Sequence, residues 1–286
     1  MEAVTPVRRV YPGARDAIVL LVLAFAVSLV AQGGLLALEG VGVDPAHPGA
    51  QAVATLFVFA VVIAYGTRRT GASPHTVLPL HPVPLSLLAP MAMATLGVGI
   101  LLSEVDNVLR SVLPPPAWLE RVFTDLASGR RSLWGSVALL VVAAPLTEEL
   151  LFRGVILHGF FRRYRVGRAV IVAAVLFAAF HLNPWQFVGA ATAGLLFGWW
   201  RWATGSLVPG LACHALNNAM PIVAANVAGL RIPGYAGVPT GAVEFHPRWF
   251  DVLGVTLAAG GLWLVWQQLQ NPAPPVTDST PSDTPA

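Results

Sequence analysis

The chain contains no lysine, has a single cysteine, and only 11% of its 286 residues are charged. Each shortage excludes something. An ordinary soluble domain carries roughly a quarter charged residues, and with 56% of this chain hydrophobic the sequence reads as an integral membrane protein. Cys213 alone makes neither an internal disulfide nor a thiolate metal cage. The net charge of +3 rests on arginine, scattered in ones and twos between apolar segments. That leaves no basic domain for nucleic acid; such arginines meet lipid headgroups and set topology. G-x-S-x-G and H-E-x-x-H are absent too, so neither a serine hydrolase elbow nor a zincin helix is encoded.

What is present is a series of long apolar runs. About 20 residues cross a hydrocarbon core, and eight segments qualify as expected spans: 17–38, 50–66, 84–103, 133–161, 168–182, 186–204, 206–228 and 250–268. The predicted fold is therefore all-α, a polytopic bundle of about eight transmembrane helices in the cell membrane. A single domain is expected over 17–270, after a short N-terminal segment, 1–16, and before a tail, 271–286, whose Pro, Ser and Thr content predicts disorder. The first apolar run exceeds the roughly 7 to 15 residues of a signal-peptide core, so it reads as a retained helix.

With a cytoplasmic N-terminus, Arg68, Arg69, Arg162, Arg163, Arg165, Arg168 and Arg201 fall on one side, as the positive-inside rule expects. Arg110, Arg121, Arg130 and Arg131, in the loop before residue 133, dilute that pattern. The same loop carries a stripe of Trp118, Leu119, Val122, Phe123 and Leu126, begun by proline and ended by Gly129, which reads as a helix lying on the bilayer surface. Gly189, Gly194 and Gly198 predict close packing of the sixth span.

Against this background Glu148 and Glu149 are the acidic residues placed at membrane depth. Burying each costs about 2.5 to 3.5 kcal/mol on insertion scales, so a compensating role is expected. Glu149 and Arg153 are four apart and share a helix face, whereas Glu148 points about 100° away. Arg153 can thus satisfy Glu149, and Glu148 is left for chemistry. Pro145 lacks a backbone donor and is expected to kink the helix and admit water. His181 ends another apolar span, and His214 and Asn218 share one face of a third.

A count of depth draws these together. Glu148 lies 14 residues from Arg162, His181 13 from Arg168 and His214 13 from Arg201, or about 20 Å each at 1.5 Å per residue. If those arginines mark one membrane face, the three residues share a level.

Such a set suits hydrolysis of a peptide bond by an activated water, with a carboxylate and a histidine as base and further donors on the oxyanion. Two histidines and a glutamate are equally a zinc ligand set, so Glu148, His181 and His214 are also candidate metal ligands, and the sequence leaves the metal open. Cys213 and His214 diverge by about 100° on a helix and do not make a nucleophile and base pair. A proton-coupled transporter uses similar groups, but no internal repeat is visible.

The motifs themselves resemble a known family. "EELLFR" at 148–153 is similar to EExxxR, "FAAFH" at 177–181 to FxxxH, and "HALNN" at 214–218 to HxxxN. In this order they resemble the CPBP family of intramembrane proteases, which includes type II CAAX prenyl endopeptidases and bacterial Abi-type proteins, over a core of about 133–228. The resemblance implies an eight-helix membrane fold in which Glu148 and His181 activate water, His214 and Asn218 form the oxyanion hole, and Glu149 and Arg153 brace the site. Descriptions of the family differ between a metalloprotease and a glutamate-dependent enzyme. The implied partners are the bilayer and a peptide or protein substrate. Eukaryotic members cleave lipidated CAAX proteins, while bacterial ones are linked to bacteriocin immunity, so a non-enzymatic immunity or scaffold role is the alternative.

Overall fold

The computed structural model describes residues 10–236 and 243–270, so the expected disorder of 271–286 lies outside the described residues, as do residues 1–9. The principal helices are α1 Ala14–Leu38, α2 Pro48–Thr70, α3 Leu85–Val112, α4 Ala117–Ser128, α5 Leu133–Phe161, α6 Val166–Phe180, α7 Pro184–Thr204, α8 Val208–Asn226 and α9 Arg248–Gln270. No strand occurs among the described residues.

Helices stand at all eight expected positions, but they are of two kinds. Five of them, α1, α2, α3, α5 and α9, are long and apolar enough to cross a membrane, which makes this a multi-pass membrane protein. The other three are shorter or more polar; α6 has 15 residues, a rise of about 22 Å. Among them, α8 carries His214 and Asn218, and His181 caps the C-terminal end of α6.

The tightest pairing joins α3 to α9 through small residues. A side chain added at Gly97 would stand 2.6 Å from the Gly254 carbonyl, and one at Gly261 2.7 Å from the Pro90 carbonyl. Glycine here lets two backbones touch. Likewise Gly194 and Gly198 of α7 face Ala174 and Val170 of α6, whereas Gly189, expected at the same seam, faces open space.

Two apolar clusters fill the interior. One gathers Leu20 of α1, Val62 of α2, Leu151, Phe152, Ile156 and Phe160 of α5, and Phe177 of α6. The second holds Met91, Phe197, Trp200, Cys213 and Val265. Cys213 is fully covered within it, as expected of a small apolar residue. Large side chains on α1 and α9, among them Val30 and Trp263, face outward, as lipid-facing positions should.

The surface helix α4 starts after Pro116 and stops at Gly129, whose φ of +65° favours glycine. It has no buried residue, and Asn226 of α8 ties it down by donating to the Ala127 carbonyl at 2.8 Å. Three of the arginines that dilute the charge pattern are paired: Arg110 with Asp106 and Glu120, Arg130 with Asp125, Arg131 with Asp44. Their charge is neutralised locally. Among the described residues no ion pair neutralises the seven arginines that the charge pattern assigns to the other side.

Candidate active site

The site begins with an irregular helix. α5 runs as a short α-turn, a π-helical stretch Val137–Ala143, an α-turn Ala144–Glu149, a second π-helical stretch Leu150–Ile156 and a final α-turn. Such insertions are rare and favour functional positions, because each rotates the following side chains and loosens backbone pairing. Pro145 has a defined part in this. The Ala144 N–H reaches back to the Leu139 carbonyl, and Pro145 has no N–H to offer, so the Leu140 carbonyl loses its backbone donor. Asn218 takes it instead, donating from Nδ2 at 2.9 Å. The expected kink is thus a π-helical turn with a freed carbonyl, and that carbonyl anchors α8.

Glu149 is fully buried and makes two contacts through one oxygen. Its Oε1 lies 2.9 Å from Arg153 Nη1, the ion pair expected from their spacing, and 2.9 Å from His214 Nδ1 of α8. The other oxygen, Oε2, sits against Gly210, where an added Cβ would stand 2.7 Å away. Gly210 is one turn before His214, so the notch it leaves admits the carboxylate to the histidine.

Glu148 is not closed in to the same degree, its side chain being 16% exposed, and its Oε2 lies 3.7 Å from His214 Nε2. That separation is too long for a hydrogen bond and suits a bridging water or a substrate atom. The His214 ring is flanked by Phe197, 5.4 Å away, and Phe177, 5.9 Å away. The same two rings flank the Arg153 guanidinium, at 4.4 Å for Phe177 and 5.5 Å for Phe197. Phe177 belongs to one apolar cluster and Phe197 to the other, so the polar group occupies the seam between them.

His181 enters from the end of α6. Its ring stands edge-on to Phe177 at 4.9 Å, and its Nδ1 lies 2.9 Å from the Phe177 carbonyl. The helix ends there because Leu182 turns into the left-handed region at φ +50°, a conformation costing of order 1 to 3 kcal/mol for a non-glycine residue. No hydrogen bond or ion pair joins His181 to Glu148; both histidines are related through Phe177.

The depth count does not carry over to His214. Arg201 lies in α7 and His214 in α8, with a turn between them, and Leu207 of that turn packs against Gly154 inside α5. His214 reaches Glu149 because this turn is sunk into the protein. Four features of the site had no counterpart in the sequence reading: the His214–Glu149 bond, the Gly210 notch, the two flanking phenylalanines and the Leu140 carbonyl. Only Phe177 left a trace there, four residues before His181.

Among the described residues no three His, Cys, Asp or Glu side chains converge as ligands. Nδ1 of His214 is turned onto Glu149 and Nδ1 of His181 onto a carbonyl, which leaves Nε2 as the outward nitrogen of each ring.

The family model for type II CAAX prenyl endopeptidase Rce1-like proteins matches residues 130–220, a stretch that includes all six candidate residues. A curated relative, CAAX prenyl protease 2 of Rattus norvegicus, is 25% identical over 213 residues, covering 72% of this chain and 58% of that protein. The chain therefore spans less than two thirds of that relative's length. No solved structure matches. The motif residues Glu148, Glu149, Arg153, His181, His214 and Asn218 all lie inside the stretch that is similar to the Rce1-like CAAX prenyl endopeptidases.

Proposed function

We propose that the protein is an intramembrane endopeptidase, hydrolysing a peptide bond of a membrane-associated, CAAX-type substrate with a water activated by Glu148 and His181. The observation that carries this reading is the different anchoring of the two histidines. A carbonyl and a carboxylate can only accept, so both rings are protonated at Nδ1, His181 toward Phe177 and His214 toward Glu149. Nε2 is then the working atom of each.

The anchors divide the labour. The neutral Phe177 carbonyl fixes the His181 tautomer with a free lone pair on Nε2, which takes a proton from water together with Glu148. His214 acts with a proton on Nε2 as well, the Glu149 carboxylate balancing the charge of the ring, so that Nε2–H donates to the carbonyl oxygen under attack. Arg153 keeps Glu149 in place and balances its charge. Asn218 uses one Nδ2–H for the Leu140 carbonyl and keeps the second for the oxyanion, a donor typically worth about 2.7 to 4 kcal/mol. The leaving amine recovers the proton from Glu148 or His181, and no covalent intermediate forms.

The test is cleavage itself. Purified protein in lipid nanodiscs is incubated with farnesylated and unmodified peptides ending in a CAAX-type sequence, and fragments are read by mass spectrometry. Hydrolysis of the lipidated peptide supports the reading. Intact peptides of both kinds, with protein shown to be folded, contradict it.

A further inference from the structure

Helix α8 carries two adjacent asparagines, Asn217 and Asn218, and only the second has a part in the proposed chemistry. Both are half-buried. Successive side chains on a helix diverge by about 100°, so the two leave α8 in different directions. Asn218 turns toward α5, where its Nδ2 donates to the Leu140 carbonyl at 2.9 Å. Asn217 turns toward α3, where its Oδ1 would stand 3.4 Å from a side chain added at Gly99. The two amides nevertheless meet, Asn217 Nδ2 donating to Asn218 Oδ1 at 3.3 Å.

A carboxamide has nearly the same shape either way round, with an acceptor at one end and two donors at the other, so its partners decide which end faces where. For Asn218 the two contacts agree. Turned over, its oxygen would face the Leu140 oxygen and its NH2 would face that of Asn217, and both bonds would become repulsions. Among the described residues no other hydrogen bond orients this side chain. The orientation decides what is left for the reaction. With one Nδ2–H on Leu140 and Oδ1 covered by Asn217, the group still unspent is the second N–H. In the reverse orientation an oxygen lone pair would take its place and repel a developing oxyanion.

We propose that Asn217 is a positioning residue for hydrolysis: by donating to Asn218 Oδ1 it holds the Asn218 amide with its spare N–H toward the oxyanion. This rests on the reading of Asn218 as an oxyanion donor. In this role Asn217 touches no reacting atom.

A double-mutant cycle on cleavage of the farnesylated peptide in nanodiscs tests the proposal. Asn217→Ala should lower kcat by about threefold to tenfold, the factor carried by one net hydrogen bond, with KM unchanged. Asn217→Asp sets an acceptor against Asn218 Oδ1 and should turn the amide over, with a loss of about a hundredfold, like removal of the donor itself. If the aspartate variant does not fold, the alanine variant carries the test. In an Asn218→Ala background Asn217→Ala should change nothing further, because its effect passes through an amide that is gone. Full kcat in the Asn217 variants overturns the proposal. So does an equal loss with and without the Asn218 side chain, the mark of direct substrate contact or of a merely structural residue. Hydrogen exchange of the asparagine side chains, read by NMR, needs no turnover: Asn217→Ala should speed exchange of the Asn218 Nδ2–H held by Leu140, and exchange at the wild-type rate overturns the proposal. Wild-type protein that cleaves neither peptide, while Asn217→Ala still frees the amide, counts against the endopeptidase reading and supports the positioning.

Discussion

His214 of α8 and Glu149 of α5 are joined by a 2.9 Å hydrogen bond between residues 65 apart in sequence, and the same Glu149 oxygen pairs with Arg153. One carboxylate thus serves both the structural ion pair and the histidine that faces Glu148. The two adjacent glutamates consequently differ in what their loss should do.

Glu149→Gln leaves the Arg153 guanidinium buried without its counter-charge. Breaking a buried pair from one side costs roughly 3 to 5 kcal/mol. Unfolding in detergent should show a loss of that order, together with loss of cleavage. Stability equal to wild type would mean that Arg153 is compensated by another group.

Gly210→Ala places a methyl 2.7 Å from Glu149 Oε2. Overpacking of this kind costs typically 1 to 3 kcal/mol. Here the carboxylate is displaced from His214, so kcat should fall with little change in KM. An alanine variant with wild-type kcat would show that the notch is not needed.

Pro145→Ala returns an N–H to the π-helical turn, aimed where the Leu140 carbonyl now waits for Asn218. The variant should gain helix stability, because proline is about 3 kcal/mol less favourable than alanine in a helix interior. It should nonetheless lose activity as Asn218 loses its anchor. A variant that gains both stability and rate would contradict the role given to that carbonyl.

Asn218→Ala removes a donor from the oxyanion and leaves Leu140 unpaired. The rate should fall by about 10² to 10³, as for other donors of this type, while peptide affinity holds. A change confined to KM would place Asn218 in binding.

The legible parts of this molecule were those that repeat along one helix. Span positions followed from apolar runs, and the Glu149–Arg153 pair from a spacing of four. What the spacing could not give is which helix stands opposite: the His214 bond crosses from α8 to α5 because the turn at Leu207 sinks against Gly154. Depth counted by rise fails at such a turn. The π-helical stretches were equally hidden, since Val137–Ala143 reads as an ordinary apolar run and only Pro145 marks the disturbance. The short α6 shows the same limit, as its end at His181 depends on a left-handed Leu182 that no residue preference announces.

Glu148→Gln, assayed by single-turnover cleavage of a lipidated peptide in nanodiscs, bears most directly on the proposed chemistry. Glu148 makes no hydrogen bond or close ion pair beyond His214 at 3.7 Å, so the variant should fold with wild-type stability. Its cleavage rate should drop by about 10² to 10⁴, the usual share of a general base. Cleavage at the wild-type rate by the glutamine variant would show that the water is activated elsewhere.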